Sequence, residues 1–296
     1  MTNAASEQDC SPYPWGEKAG RMVDVLGTRI HLADQGKGPA VLLLHGWGRS
    51  YQSWSPIFSV LAARCRVIAP DLPGHGYSAP GQAPITSYKH LAKLLLALMD
   101  AEGIERATVI GNGLGGAIAM QLALLEPDRV DLLLLLSPLG YRLPWSWLDR
   151  SLASRSLVGR MLWGLKGAKG IAKWVARHAG PSVTHEQILE ELRPALDSPR
   201  GLHDTLRACL EDLAWQVDEL IAPTLVICGT ADSLMPASLG RDLADAVAEG
   251  QFEAVVGAGH FVHEEAPDDF LPIITRFIAL REGGAGPDDF SLVVQG

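Results

Sequence analysis

The sequence predicts an α/β fold: a doubly wound, mostly parallel sheet interrupted by an inserted helical segment. Three observations predict it. Short apolar runs recur along the chain, and most stop at a Gly, His, Asp or Ser. Helix-periodic stretches lie between them. From about residue 140 to 215 the strand-like runs cease, and they resume at Thr224. Unbroken apolar runs suit strands covered by helices on both faces, which is the situation in a parallel sheet.

The elements follow in order. Residues 1–20 read as a polar N-terminal arm. Met22–Val25 and Ile30–Ala33 flank Gly27 and predict a hairpin. Val41–Leu44, Arg66–Ala69, Ala107–Ile110, Leu132–Leu136, Thr224–Cys228 and Phe252–Val256 predict the remaining strands. Ser87–Ala101 sets Leu91, Leu94, Leu95 and Leu98 at helical spacing. Leu114–Leu125, Ala237–Ala248 and Pro267–Leu280 are the other helices of the alternation. Residues 21–139 and 216–282 then form the core, and 140–215 a helical cap. The tail, 283–296, fits either a loose end or a packed extra strand.

Composition narrows the function. The 296 residues carry 25 basic and 34 acidic side chains, a net charge of −9, which disfavours nucleic acid as a partner. At 47% hydrophobic the chain is no disordered or collagen-like polymer. Its four cysteines have no paired short spacing, so neither a zinc site nor a disulfide framework is expected. The first residues lack the charged-then-apolar pattern of a leader, and the longest apolar run, Leu94–Met99, falls far short of the roughly 18 residues of a membrane span. The expectation is a soluble cytoplasmic protein with no membrane span. No metal cluster or phosphate loop is visible, so no cofactor is expected.

In parallel sheets, ligands meet the carboxyl ends of the strands. Those ends carry His45-Gly46-Trp47-Gly48, Asp71-Leu72-Pro73-Gly74-His75-Gly76, Gly111-Asn112-Gly113-Leu114-Gly115-Gly116, Gly229-Thr230-Ala231-Asp232 and Gly257-Ala258-Gly259-His260. Gly111, Gly113 and Gly116 match a dinucleotide fingerprint literally. Two features oppose that reading. The next strand ends at Ser137, where the fingerprint wants an acid, and the glycines follow a later strand of the sheet, not the first.

In order and spacing, these five motifs resemble the α/β-hydrolase superfamily, in its capped esterase and carbon–carbon-bond hydrolase branch. The resemblance spans roughly residues 22–282. It implies an elbow G-x-S-x-G, matched here by Gly111-Asn112-Gly113-Leu114-Gly115, with Gly113 where the nucleophilic serine belongs. Glycine cannot form an acyl-enzyme. The resemblance further implies His260 as the catalytic histidine, Asp232 as the acid behind it, and the Trp47 and Leu114 backbone amides as an oxyanion hole. It leaves His45, His75 and Asp71 as structural groups of the loops, and His263 beside His260. Ser137 is the nearest alternative hydroxyl, although it is not on an elbow.

A His–Asp pair without a serine has two chemistries open to it. It can deprotonate a water for direct attack on a carbonyl. It can also take a proton from substrate carbon, with the oxyanion donors holding an enolate, for elimination, isomerisation, decarboxylation or cyclisation. Two other readings stay open: an engineered, inactive Ser→Gly variant of a serine hydrolase, and a non-catalytic ligand-binding protein of the same fold.

The expected substrate is a hydrophobic, carbonyl-bearing small molecule. The inserted segment concentrates Trp145, Trp147, Trp163, Trp174 and Trp215. Between Tyr141 and Gly180 it carries Arg142, Arg150, Arg155, Arg160, Lys166, Lys169, Lys173 and Arg177 against Asp149 alone. A solvated helix face accounts for that charge. The sharper readings are attraction of an anionic substrate, an acidic carrier protein or an anionic membrane surface.

Overall fold

The computed structural model describes residues 20–85, 87–142, 170, 172–180, 182–197, 200–214 and 216–281. The predicted N-terminal arm up to residue 19, the tail, and most of 143–171 lie outside the described residues.

Eight strands form one sheet: β1 (Arg21–Val25), β2 (Thr28–Gln35), β3 (Ala40–Leu44), β4 (Arg66–Pro70), β5 (Ala107–Asn112), β6 (Val130–Leu136), β7 (Thr224–Gly229) and β8 (Gly250–Val255). Their order is β1-β2-β4-β3-β5-β6-β7-β8. β2 pairs antiparallel with β1 and β4, and every pairing from β4 across to β8 is parallel. The predicted hairpin is there. Leu26 (φ 51°) and Gly27 (φ 75°) are both left-handed, which suits the tight turn that matches strand twist.

The helices are α1 (Ser55–Ala62), α2 (Tyr88–Ala101), α3 (Leu114–Leu125), α4 (His185–Leu192), α5 (Arg200–Ala208), α6 (Ala237–Ala246), α7 (Val262–Glu265) and α8 (Pro267–Arg281). α2 starts where Ser87 caps it, its hydroxyl accepting from the His90 amide at 3.1 Å. Residues within a strand divide between two apolar cores. Leu42 and Leu44 of β3, with Leu133 and Leu135 of β6, pack on the side of α2, α3 and α6. Val41 and Leu43, with Leu132, Leu134 and Leu136, pack on the side of α1 and α8. Burial on both faces is why these strands read as unbroken apolar runs.

The strand order sets the site. From β3 the chain runs through α1 to β4 on one side, then through α2 to β5 on the other. The reversal leaves a crevice at the carboxyl ends of β3 and β5, the position where ligands bind in such sheets. The loop at Gly46-Trp47 and the turn at Gly113 flank it. The described parts of 140–215 contain α4, α5 and a helical stretch at 172–176, and no strand. Among the described residues, no helix is long and apolar enough to cross a membrane.

Candidate active site

β5 ends at Asn112, and α3 begins at Leu114. Gly113 makes the turn between them at φ 52°, ψ −112°, a conformation costing of order 1–3 kcal/mol for a residue with a side chain. The turn is pinned on both sides: the Gly113 amide donates to the Leu136 carbonyl (3.0 Å), and the Gly113 carbonyl accepts from the Leu139 amide (2.9 Å). Gly111 and Gly115 serve another need. A Cβ on Gly111 would collide with the Gly115 backbone, and one on Gly115 with the Leu44 carbonyl. These glycines allow α3 to pack tightly on the sheet, which accounts for the literal fingerprint without a dinucleotide. At Gly113 the nearest obstacle is a side chain: a Cβ there would stand 2.9 Å from His260 Nε2.

His260 sits in the loop after β8 and is 4% exposed. Its amide donates to the His178 carbonyl at 3.0 Å, and its carbonyl accepts from Asn112 Nδ2 at 2.9 Å. The loop is thus tied to the elbow. His260 Nδ1 lies 2.8 Å from Asp232 Oδ2. An ionised carboxylate only accepts, so Nδ1 donates and Nε2 keeps its lone pair toward Gly113. Asp232 Oδ1 accepts from the Leu234 and Met235 amides at 2.8 and 2.9 Å. Burial pushes the Asp232 carboxyl up, but the His260 ring, its hydrogen bond and the Met235 amide outweigh burial and hold it below the usual range.

A pocket opens over this pair. Its described walls include Gly46, Trp47, Leu114 and His260 on the sheet side, with Trp174 and Leu206 opposite. The Trp47 indole donates to the Leu202 carbonyl in α5 at 3.0 Å and meets Trp174 edge-on at 5.9 Å. Leu114 is the first residue of α3, so its amide has no partner within the helix and lies at the positive end of the helix dipole. Cys209 also lines the pocket, where burial raises its thiol well above the usual range and favours the neutral form.

The structure thus brings together the five residues singled out in the sequence: Trp47, Gly113, Leu114, Asp232 and His260. The loop histidines and Asp71 do structural work. His45 Nε2 accepts from the Leu72 amide (2.9 Å), and Asp71 accepts from the Tyr51 (2.8 Å) and Tyr77 (2.9 Å) amides. Two residues named near the site stand off the pocket wall. Ser137 is fully buried at φ 43° with its amide on the Ile227 carbonyl, so it lies within the sheet end rather than in the pocket. His263 turns away from the pocket and stacks on Trp54 at 4.2 Å. Sequence reasoning missed His178, whose ring bonds Ser233 Oγ at 2.9 Å on the pocket rim. Of the eight bases between Tyr141 and Gly180, Arg142, Lys173 and Arg177 are described, and all three are exposed; the other five lie outside the described residues.

An eight-stranded, mostly parallel sheet with a glycine elbow, a His–Asp pair and a crevice at the strand ends defines an α/β-hydrolase-type protein. The chain belongs to the alpha/beta hydrolase family, whose model matches residues 41–273. It is 32% identical over 285 residues to an uncharacterized protein of Mycobacterium tuberculosis, covering 87% of this chain and 80% of that one. It is 27% identical over 281 residues to a 2-hydroxymuconate semialdehyde hydrolase from a Pseudomonas species, covering 90% and 96%. Among solved structures it resembles the enol-lactonase of Burkholderia xenovorans, with TM-score 0.74 at 25% identity over 88% of this chain and 100% of that one. A meta-cleavage product hydrolase of Pseudomonas fluorescens shares the fold, with TM-score 0.75 at 23% identity, covering 90% and 99%.

Proposed function

We propose that this protein acts on a hydrophobic, carbonyl-bearing small molecule, an ester, lactone or β-dicarbonyl, without a covalent acyl-enzyme. His260, oriented by Asp232, is the general base. The Trp47 and Leu114 amides hold the oxyanion, and residues 140–215 form a cap over the strand ends. The observation that carries this reading is the geometry at the elbow. His260 Nε2 faces the space a serine side chain would fill, 2.9 Å from where its Cβ would stand. An unbonded oxygen keeps about 3.3 Å or more from a Cα, so a water there stands farther from the backbone than a bonded hydroxyl.

Two routes use the same groups. In one, His260 takes a proton from that water as it attacks the carbonyl. In the other, His260 takes a proton from the carbon beside the carbonyl, and the amides stabilise the enolate. Neither needs a nucleophilic side chain. Relatives described as acting on an enol lactone and on 2-hydroxymuconate semialdehyde support a carbonyl substrate. The pocket walls of Trp47, Leu114, Trp174 and Leu206 support an apolar one. The test is turnover of a panel of aryl esters, enol lactones and 1,3-diketones by the chain as it stands. Incubation in D₂¹⁸O separates the routes: hydrolysis places ¹⁸O in the product acid, whereas isomerisation through the enolate places solvent deuterium at carbon and elimination gives an unsaturated product, neither with an ¹⁸O-labelled acid.

A further inference from the structure

Beside the pocket lies a buried charge cluster that the proposed mechanism does not use. Arg49 is 1% exposed and follows the Gly46-Trp47 loop, its own amide donating to the Gly46 carbonyl at 3.2 Å. Its Nε and Nη2 grip the Glu191 carboxylate at 3.1 and 2.7 Å, and Nη2 also reaches Glu264 Oε2 at 2.6 Å. Glu191 belongs to α4, in the inserted segment, and also accepts from the Ser50 amide at 3.0 Å. Glu264 belongs to α7, directly after the His260 loop. The neighbouring Glu265 accepts from the Gly259 and Phe261 amides, on either side of His260, at 2.6 and 3.0 Å. One guanidinium therefore touches three segments: the loop bearing the Trp47 amide, the insertion, and the helix that braces His260.

Stability alone is a poor explanation for this arrangement. A buried ion cluster gains little over apolar packing, because desolvation offsets the attraction. This one also leaves Arg49 Nη1, Glu264 Oε1 and both His263 ring nitrogens buried without a hydrogen-bond partner. What bidentate pairing does supply is fixed geometry.

We propose that Arg49 is a positioning residue: through Glu191 and Glu264 it holds the Trp47 loop, α4 and the His260 loop as one unit. This rests on the reading above, in which Trp47 and His260 act together on one carbonyl. Charged and titratable groups from three elements face Glu264. Arg49 comes from the β3 loop, Glu191 from α4, and Glu265 and His263 from α7. Burial pushes Glu264 up to about 8, with Glu191 and Glu265 adding to it against the pull of Arg49. Burial, Arg49 and His260 together keep His263 neutral.

The test is amide hydrogen exchange on the full chain at pH 7 for wild type, Arg49→Met, Glu191→Ala and the double variant. The expected result is that Glu191→Ala, made in α4, lowers protection at 46–50 and 262–265 at least threefold, while α2 and β5 keep theirs. The double variant should lose no more at 262–265 than the larger single change, because a shared unit breaks once. Effects confined to 185–192, additive losses, or a uniform loss over the chain would each overturn the proposal. Should Arg49→Met not fold, Glu264→Ala with Glu191→Ala closes the same cycle. A positioning role also lowers kcat on whichever probe the wild type turns over, with KM within twofold; an unchanged kcat overturns it. No substrate enters the exchange cycle, so it is decided whether or not His260 proves to be the base.

Discussion

His260 Nε2 and Gly113 stand so close that a side-chain carbon at 113 would lie 2.9 Å from the ring nitrogen. The imidazole thus occupies part of the room that a nucleophile would claim, while Asp232 holds it from behind at 2.8 Å. Gly113→Ser forces the ring back by a few tenths of an ångström and puts a side chain at φ 52°. The expected cost is about 1–3 kcal/mol of stability, read by denaturant unfolding. The serine should gain labelling by a fluorophosphonate probe. Strong new aryl-ester activity there would favour a parent serine hydrolase.

Gly113→Ala separates space from chemistry. It carries the same backbone strain, and its methyl crowds Nε2 without supplying a hydroxyl. Turnover should fall at least tenfold below that of the glycine protein. An alanine variant with unchanged kcat/KM would show that the space at the elbow is not used.

Other glycines respond differently. Gly115→Ala drives a methyl into the Leu44 carbonyl, with backbone that cannot yield, and should prevent folding or cost upwards of ~3 kcal/mol. At Gly103 a Cβ meets nothing within 4 Å, and the φ of 66° is the only penalty, so Gly103→Ala should cost only about 1 kcal/mol. Thermal unfolding of the two variants side by side checks the ranking.

Two carboxyls give opposite pH signatures. Asp232 is held below its ordinary value, so its contribution is present above about pH 4, the unfolded value, and is lost as pH falls through the lower folded value. Asp232→Asn should flatten that acid limb of a Tm–pH curve. Glu264, raised to about 8, binds its proton more tightly when folded. Stability on its account is full below about pH 4.5, falls as pH rises, and levels off above 8. Glu264→Gln should match wild type near pH 4 and exceed it by at least ~1 kcal/mol at pH 9. A constant offset across pH would contradict the assignment.

Much of this was legible in the sequence because burial on both faces writes itself as apolar runs. β3, β4, β5, β6 and β7 fall on the predicted runs, with ends extended by one or two residues. α3 falls on Leu114–Leu125 as read. The helix α1 escaped notice: its eight residues, opened by Pro56 at the start, are too few for periodicity to stand out. α7, four residues long, leaves no periodic trace at all. The His260–Asp232 pair was legible through the family resemblance, which places each member after its own strand. The Arg49 cluster was not: Arg49 and Glu191 are 142 positions apart, and no motif sets Glu191 apart from its neighbours Glu186 and Glu190. Only the fold brings them into contact.

The most direct measurement is kcat/KM of the wild-type chain against His260→Ala on the ester, enol-lactone and diketone panel, with intact-mass analysis of protein quenched during turnover. A drop of roughly 10²–10⁴-fold with the protein mass unchanged is the predicted result. Equal rates for the two proteins, or a covalent adduct accumulating on the wild type, would contradict it.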